Sequence, residues 1–113
     1  MNKKQLEKRI NFFNVLNGLS KKDKFIYIKD CPDRIIDIIC EACHNLLKLN
    51  SLKDQIKVRN KVRLIGNAFK QLSSPETSIA TKRDLLKEEE IGGVVFSLLS
   101  SIVLPTLIKL RER

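Results

Sequence analysis

Residues 91–108, IGGVVFSLLSSIVLPTLI, are 18 consecutive uncharged positions in a chain that is otherwise dense in charge. Wound as one helix, such a run is roughly 27 Å long, close to the hydrocarbon thickness of a bilayer. Two readings stay open on this evidence. The run is either the buried central helix of a small bundle or a segment that contacts a membrane. Gly92, Gly93, the serines at 97, 100 and 101, and Pro105 dilute its apolar character, which favours burial within protein. Lys109, Arg111 and Arg113 follow it and suit lipid headgroups. Gly93, Ser97 and Ser101 recur every four residues, a small-residue ridge that permits close helix–helix packing within the fold or across a homo-oligomer.

A core helix needs amphipathic neighbours, and the rest of the chain supplies them. Leu6, Ile10 and Phe13 place a first helix over 3–17, which Gly18 ends. Ser20, with Asp23 three places on, caps a short second element in which Phe25–Ile28 is a short helix or a buried connector. Pro32 is suited to the first position of a third helix over 32–49. Its stripe is Ile35, Ile39, Ala42, Leu46 and Leu49, widened by Ile36, Cys43 and Leu47.

Ser51 and Asp54 repeat the capping pattern and open a fourth helix to about Leu72. Its seam reads Leu52, Ile56, Val62, Ile65, Phe69 and Leu72. Ser74 and Pro75 suit the start of the next segment, with a restart at Thr81–Asp84 and a joint at Gly92-Gly93. No strand period or repeat is present. The expectation is an all-α, compact bundle of five or six helices forming a single domain over 1–113. Residues 1–90 are its basic helical part, and 91–110 its nearly all-apolar C-terminal helix, in the core or in a membrane.

Catalysis finds little support. Cys40, Cys43 and His44 form C-x-x-C-H, the spacing of c-type haem attachment and a partial zinc set. Haem attachment belongs to exported proteins, and the opening MNKKQLEKR has no signal-peptide character. A structural zinc needs four ligands; the one further candidate, Cys31, lies in the loop before this helix. The thiols read as small hydrophobes in a reducing compartment, with no metal and no cofactor expected. With one histidine, no phosphate-cradling glycine loop and no acidic pair, a non-enzymatic protein is expected.

The charge balance points elsewhere. Lys and Arg number 22 against 13 Asp and Glu, for a formal net charge of +9. Such a balance favours an anionic partner: nucleic acid, an acidic protein surface or lipid. Between Lys48 and Lys70 seven basic residues face one acid, Asp54. Lys53, Lys57 and Lys61 form one stripe of the fourth helix, and Arg59 and Arg63 a second. At this spacing they can follow phosphates without reading bases. With aromatics at 5% and no Trp, the chain lacks a stacking platform for single-stranded bases.

Three blocks carry a resemblance: DCPDRIIDIICEACHNLLKLN (30–50), SLKDQIKVRNKVRLIGNAFKQLSS (51–74) and TKRDLLKEEEIGGVVFSLLSSIVLP (81–105). Together they resemble a small basic protein encoded by Polinton-type elements and their adintovirus-like relatives in animal genomes. The most specific matches are His44-Asn45-Leu46-Leu47, Lys82-Arg83 with Leu85-Leu86, and Gly92-Gly93. The chain departs from the pattern at Glu88, Glu89 and Glu90, and in a less densely basic fourth helix. Those acids argue against DNA contact at the glycine pair. The resemblance implies a viral or transposon origin, a virion or host-intracellular location, and no catalytic residue.

Overall fold

Side-chain caps set where most of the helices begin. The structure, a computed structural model, describes residues 2–49 and 51–112. Asn2 and Gln5 satisfy each other's backbone N–H groups in a capping box, opening α1 (Lys3–Gly18). The Ser20 hydroxyl accepts from Asp23 N at 3.1 Å and opens α2 (Lys21–Asp30), so Phe25–Ile28 is helical. Then come α3 (Asp33–Leu46), α4 (Leu52–Val62), α5 (Asn67–Ser73), α6 (Ile79–Lys87) and an apolar helix, α7 (Glu89–Arg111). The fold is all-α, with seven helices among the described residues.

Several expected boundaries move, each for a local reason. Pro32 is the cap before α3 rather than its first residue, and α3 ends at Leu46, leaving Leu47 exposed. The expected fourth helix is two helices. At Gly66 the backbone takes φ +53°, which L side chains rarely adopt, and the chain turns before α5. That turn lets Phe69 and Leu72 enter the core while α4 buries only Val58. Leu52 and Ile56, expected on the inner seam, face solvent at 68% and 46% exposure.

Ser74 closes α5 instead of opening a helix, and its hydroxyl accepts from Glu76 N at 3.2 Å in the following turn. The next cap is Ser78, which accepts from Thr81 N, so Thr81 lies inside α6. Gly92 and Gly93 are not a joint: both lie within α7, and the break falls at Glu88, with ψ of 129°.

α7 forms the centre of the bundle. Val95 and Leu98 are fully buried, Val94, Phe96, Leu99, Ile102 and Leu104 nearly so, and the helix packs against α1, α3, α4 and α6. By length and composition it meets the requirement for a bilayer crossing. In this fold protein covers the apolar side chains of Val94, Val95, Phe96, Leu98, Leu99, Ile102 and Leu104, while Val103, Leu107 and Ile108 are half-buried. Beyond Pro105 it emerges, and Lys109, Leu110 and Arg111 are exposed.

Pro105 explains an irregularity in α7. In an α-helix its ring would press on the carbonyl one turn back. Here the preceding turn, Leu99–Val103, is widened to a π-helix in which Leu104 N–H donates to the Leu99 carbonyl. The hydroxyls of Ser100 and Ser101 both donate to the Ser97 carbonyl, at 3.1 and 2.7 Å.

Candidate nucleic-acid interface

α4 is short, capped and lightly anchored. The Ser51 hydroxyl accepts from Asp54 N at 3.3 Å, and Asp54 sits in the first turn, where the helix dipole favours an acid. Arg59 and Lys61 occupy the last turn, where it favours cations. Val58 faces the core with Val62 half-buried beside it, and Gln55 Nε2 donates to the Leu49 carbonyl.

The outward surface follows from the helical repeat of about 100° and 1.5 Å per residue. Lys53, Lys57 and Lys61 form one row with steps of roughly 6 Å along the axis. A second row holds Leu52, Ile56, Arg59 and Arg63, apolar in its first half and cationic in its second. All five basic residues are exposed, as expected. Among the described residues none of the five makes an ion pair.

Ion pairs among the described residues take up five basic side chains, all of them on other helices. Arg9 pairs with Glu41, Lys21 with Glu89, Lys87 with Asp84, and Arg111 with Glu7. Arg83 is built into the fold: its guanidinium donates to Asp33 at 2.8 Å and to the Ile28 carbonyl at 2.7 Å. Lys82, only 7% exposed, lines a cleft with Asp37, Cys40 and Glu76. Lys3, Lys4, Lys8 and Lys29 make no ion pair either among the described residues, so what distinguishes α4 is density: its five basic residues between 53 and 63 stand against one acid, Asp54.

The thiols belong to the core. Cys31, Cys40 and Cys43 are all free and buried. Burial pushes the Cys40 thiol up to about 11, with Lys82 opposing the shift, and drives Cys43 further up. A nucleophilic or metal-binding cysteine needs its thiolate accessible, and this environment disfavours it.

The small-residue ridge is not a packing seam within the bundle. Gly93 has open space where a side chain would stand, Ser97 is half-buried, and Ser101 is exposed. The close approach falls one residue earlier, at Gly92. The periodicity that singled out the ridge registers small residues but not which side of the helix is covered. Sequence reasoning also missed the exposed Leu52–Ile56 pair, because at i, i+4 spacing it looks like an inner seam.

No known protein family, curated protein or solved structure matches this chain.

Proposed function

We propose that this is a non-enzymatic helical protein that binds nucleic acid without sequence preference, through the phosphate backbone. The observation that carries the reading is the set Lys53, Lys57, Arg59, Lys61 and Arg63, clustered and exposed on α4 and its C-terminal cap, with no ion pair among the described residues. Flexible cations in rows neutralise phosphates and release counterions, and such binding weakens steeply as salt rises. Base readout has no support here, since Gln55 is tied to the Leu49 carbonyl and Asn60 is the one exposed amide of α4. An element-encoded, virion-associated origin belongs to the same proposal and rests on the three sequence blocks. A capsid protein or protein-primed polymerase encoded beside this gene is the result it expects.

A second reading has its own observation. Leu52 and Ile56 lie exposed next to the cations, and a basic helix with an apolar ridge suits an anionic lipid surface. Titrating the protein with unrelated DNA duplexes, and with vesicles of anionic or neutral lipid, separates the two. Salt-sensitive duplex binding that survives Leu52→Gln with Ile56→Gln supports the nucleic-acid reading. Anionic-vesicle binding that this double variant abolishes, without duplex binding, replaces it. If neither polyanion binds, the basic face is left for an acidic protein partner.

A further inference from the structure

A groove opens between α1, α3 and the second half of α7, beside the π turn. Its cavity volume is about 210 Å³, larger than the roughly 150 Å³ apolar cavity that takes up benzene in a helical protein. Phe13, Ile38, Ala42, Leu46, Val103 and Leu107 are among its walls. Val103 belongs to the widened turn itself, and Leu107 follows Pro105. Irregular turns of this kind recur at functional sites.

The walls run along two helices. Along α3 and the residues after it the lining runs from Ile38 to Leu49, and along α7 from Ile102 to Leu110. At 1.5 Å per residue the helical parts, Ile38–Leu46 and Ile102–Leu110, each run roughly 12 Å, which suits an extended chain better than a ring. Polar groups stand at the rim: Arg9, Glu41 and Asn45. Arg9 meets Glu41 at a long 3.7 Å, so most of its five donors remain for a ligand.

We propose that this groove binds a single-chain amphiphile with an anionic head, the class of a medium-chain fatty acid. The hydrocarbon lies along α3 and α7, and the carboxylate takes the open donors of Arg9 with the Asn45 amide beside it. Glu41 opposes the head and sets the orientation, since the carboxylate must approach Arg9 from the side away from it. The groove's walls include no residue of α4.

The test is calorimetric titration of the full chain with saturated fatty acids of eight to fourteen carbons, each below its micelle concentration. The expected result is saturable 1:1 binding that tightens about fourfold per methylene until the groove is full. Arg9→Gln should weaken the acids at least fivefold and leave the matching alcohols unchanged. Ala42→Leu and, as a second filling variant, Val103→Phe should abolish binding while the thermal melt stays cooperative. Absence of saturable binding overturns the proposal, as does binding unaffected by a folded filling variant. Fatty-acid-independent dimerisation that the filling variants abolish would assign the groove to a second copy, and would equally overturn it.

Discussion

Gly92 lies directly beneath Phe25: a methyl group built on it would stand 2.6 Å from Phe25 Cε1 and press on the Leu86 carbonyl. Phe25 in turn meets Phe96 edge-on, with ring centroids 5.7 Å apart. The start of α7 is therefore locked against α2 and the end of α6. Gly92→Ala should destabilise the protein by about 1–3 kcal/mol, the range for overpacking a filled site. Gly93, one residue on, has nothing above it. Gly93→Ala should stabilise by about 0.5–1 kcal/mol through helix propensity alone. Urea melts of the two variants check this, and equal effects would contradict it.

Arg83 ties three elements at one point. It reaches the Ile28 carbonyl near the end of α2, the Cys31 sulfur at 3.5 Å and the Asp33 carboxylate in the first turn of α3. The Arg83 side chain is largely enclosed while that of Asp33 is 75% exposed. The two halves of the contact should therefore differ. Asp33→Asn removes a solvated partner and should cost less than about 1 kcal/mol. Arg83→Met leaves a helix-end carbonyl without its donor and should cost about 1–3 kcal/mol. A larger loss at Asp33 than at Arg83 in chemical denaturation would refute this division.

The buried thiols give a pH dependence with a defined sign. An unfolded cysteine ionises near 8.5, whereas Cys40 in the fold ionises near 11 because burial disfavours the thiolate. The folded state therefore holds its proton where the unfolded state has lost it. The stability contributed by the neutral thiol is whole below about pH 8.5 and falls as pH rises towards 11. Cys43, shifted further up, acts in the same direction. Native protein at pH 8 should react with a thiol reagent only as fast as it unfolds. Immediate labelling of Cys40 or Cys43 without loss of helicity would contradict the burial.

Removing α7 should remove the fold. Val95, Leu98, Leu99 and Ile102 are at or near full burial, and each contributes roughly 1.5–3 kcal/mol of apolar burial. Their sum is comparable with the 5–15 kcal/mol net stability of a whole domain. A fragment of residues 1–88 should show no cooperative thermal transition by circular dichroism. A sharp melt from that fragment would mean that α7 is dispensable to the fold and free for another environment.

Much of the architecture was legible in the residues, and the reasons are local. Ser20 and Ser51 cap where short-range chemistry places them, and Leu6, Ile10 and Phe13 face inward at helical spacing. What escaped depends on tertiary direction. Val62, Ile65, Phe69 and Leu72 continue a helical period, and that period masks the one local signal, Gly66, whose φ of +53° turns the chain so that Phe69 faces the core. The Gly92-Gly93 pair reads as a break by composition, yet both residues are helical, and Gly92 is there to leave room for Phe25 and the Leu86 carbonyl. At the candidate site the five cations were legible as charge. The exposure of Leu52 and Ile56 was not, since periodicity identifies a face without saying what covers it.

The central claim is that α4 binds nucleic acid by charge, and the salt dependence of that binding tests it most directly. For duplex DNA the slope of log K against log salt is about −0.9 for each phosphate neutralised. If Lys53, Lys57, Arg59, Lys61 and Arg63 all engage, the slope attributable to them is about −4.5. Converting Lys53, Lys57 and Lys61 together to Gln should then lower its magnitude by about 2.7, with the thermal melt retained. Duplex binding whose slope is unchanged in that folded triple variant would contradict the account.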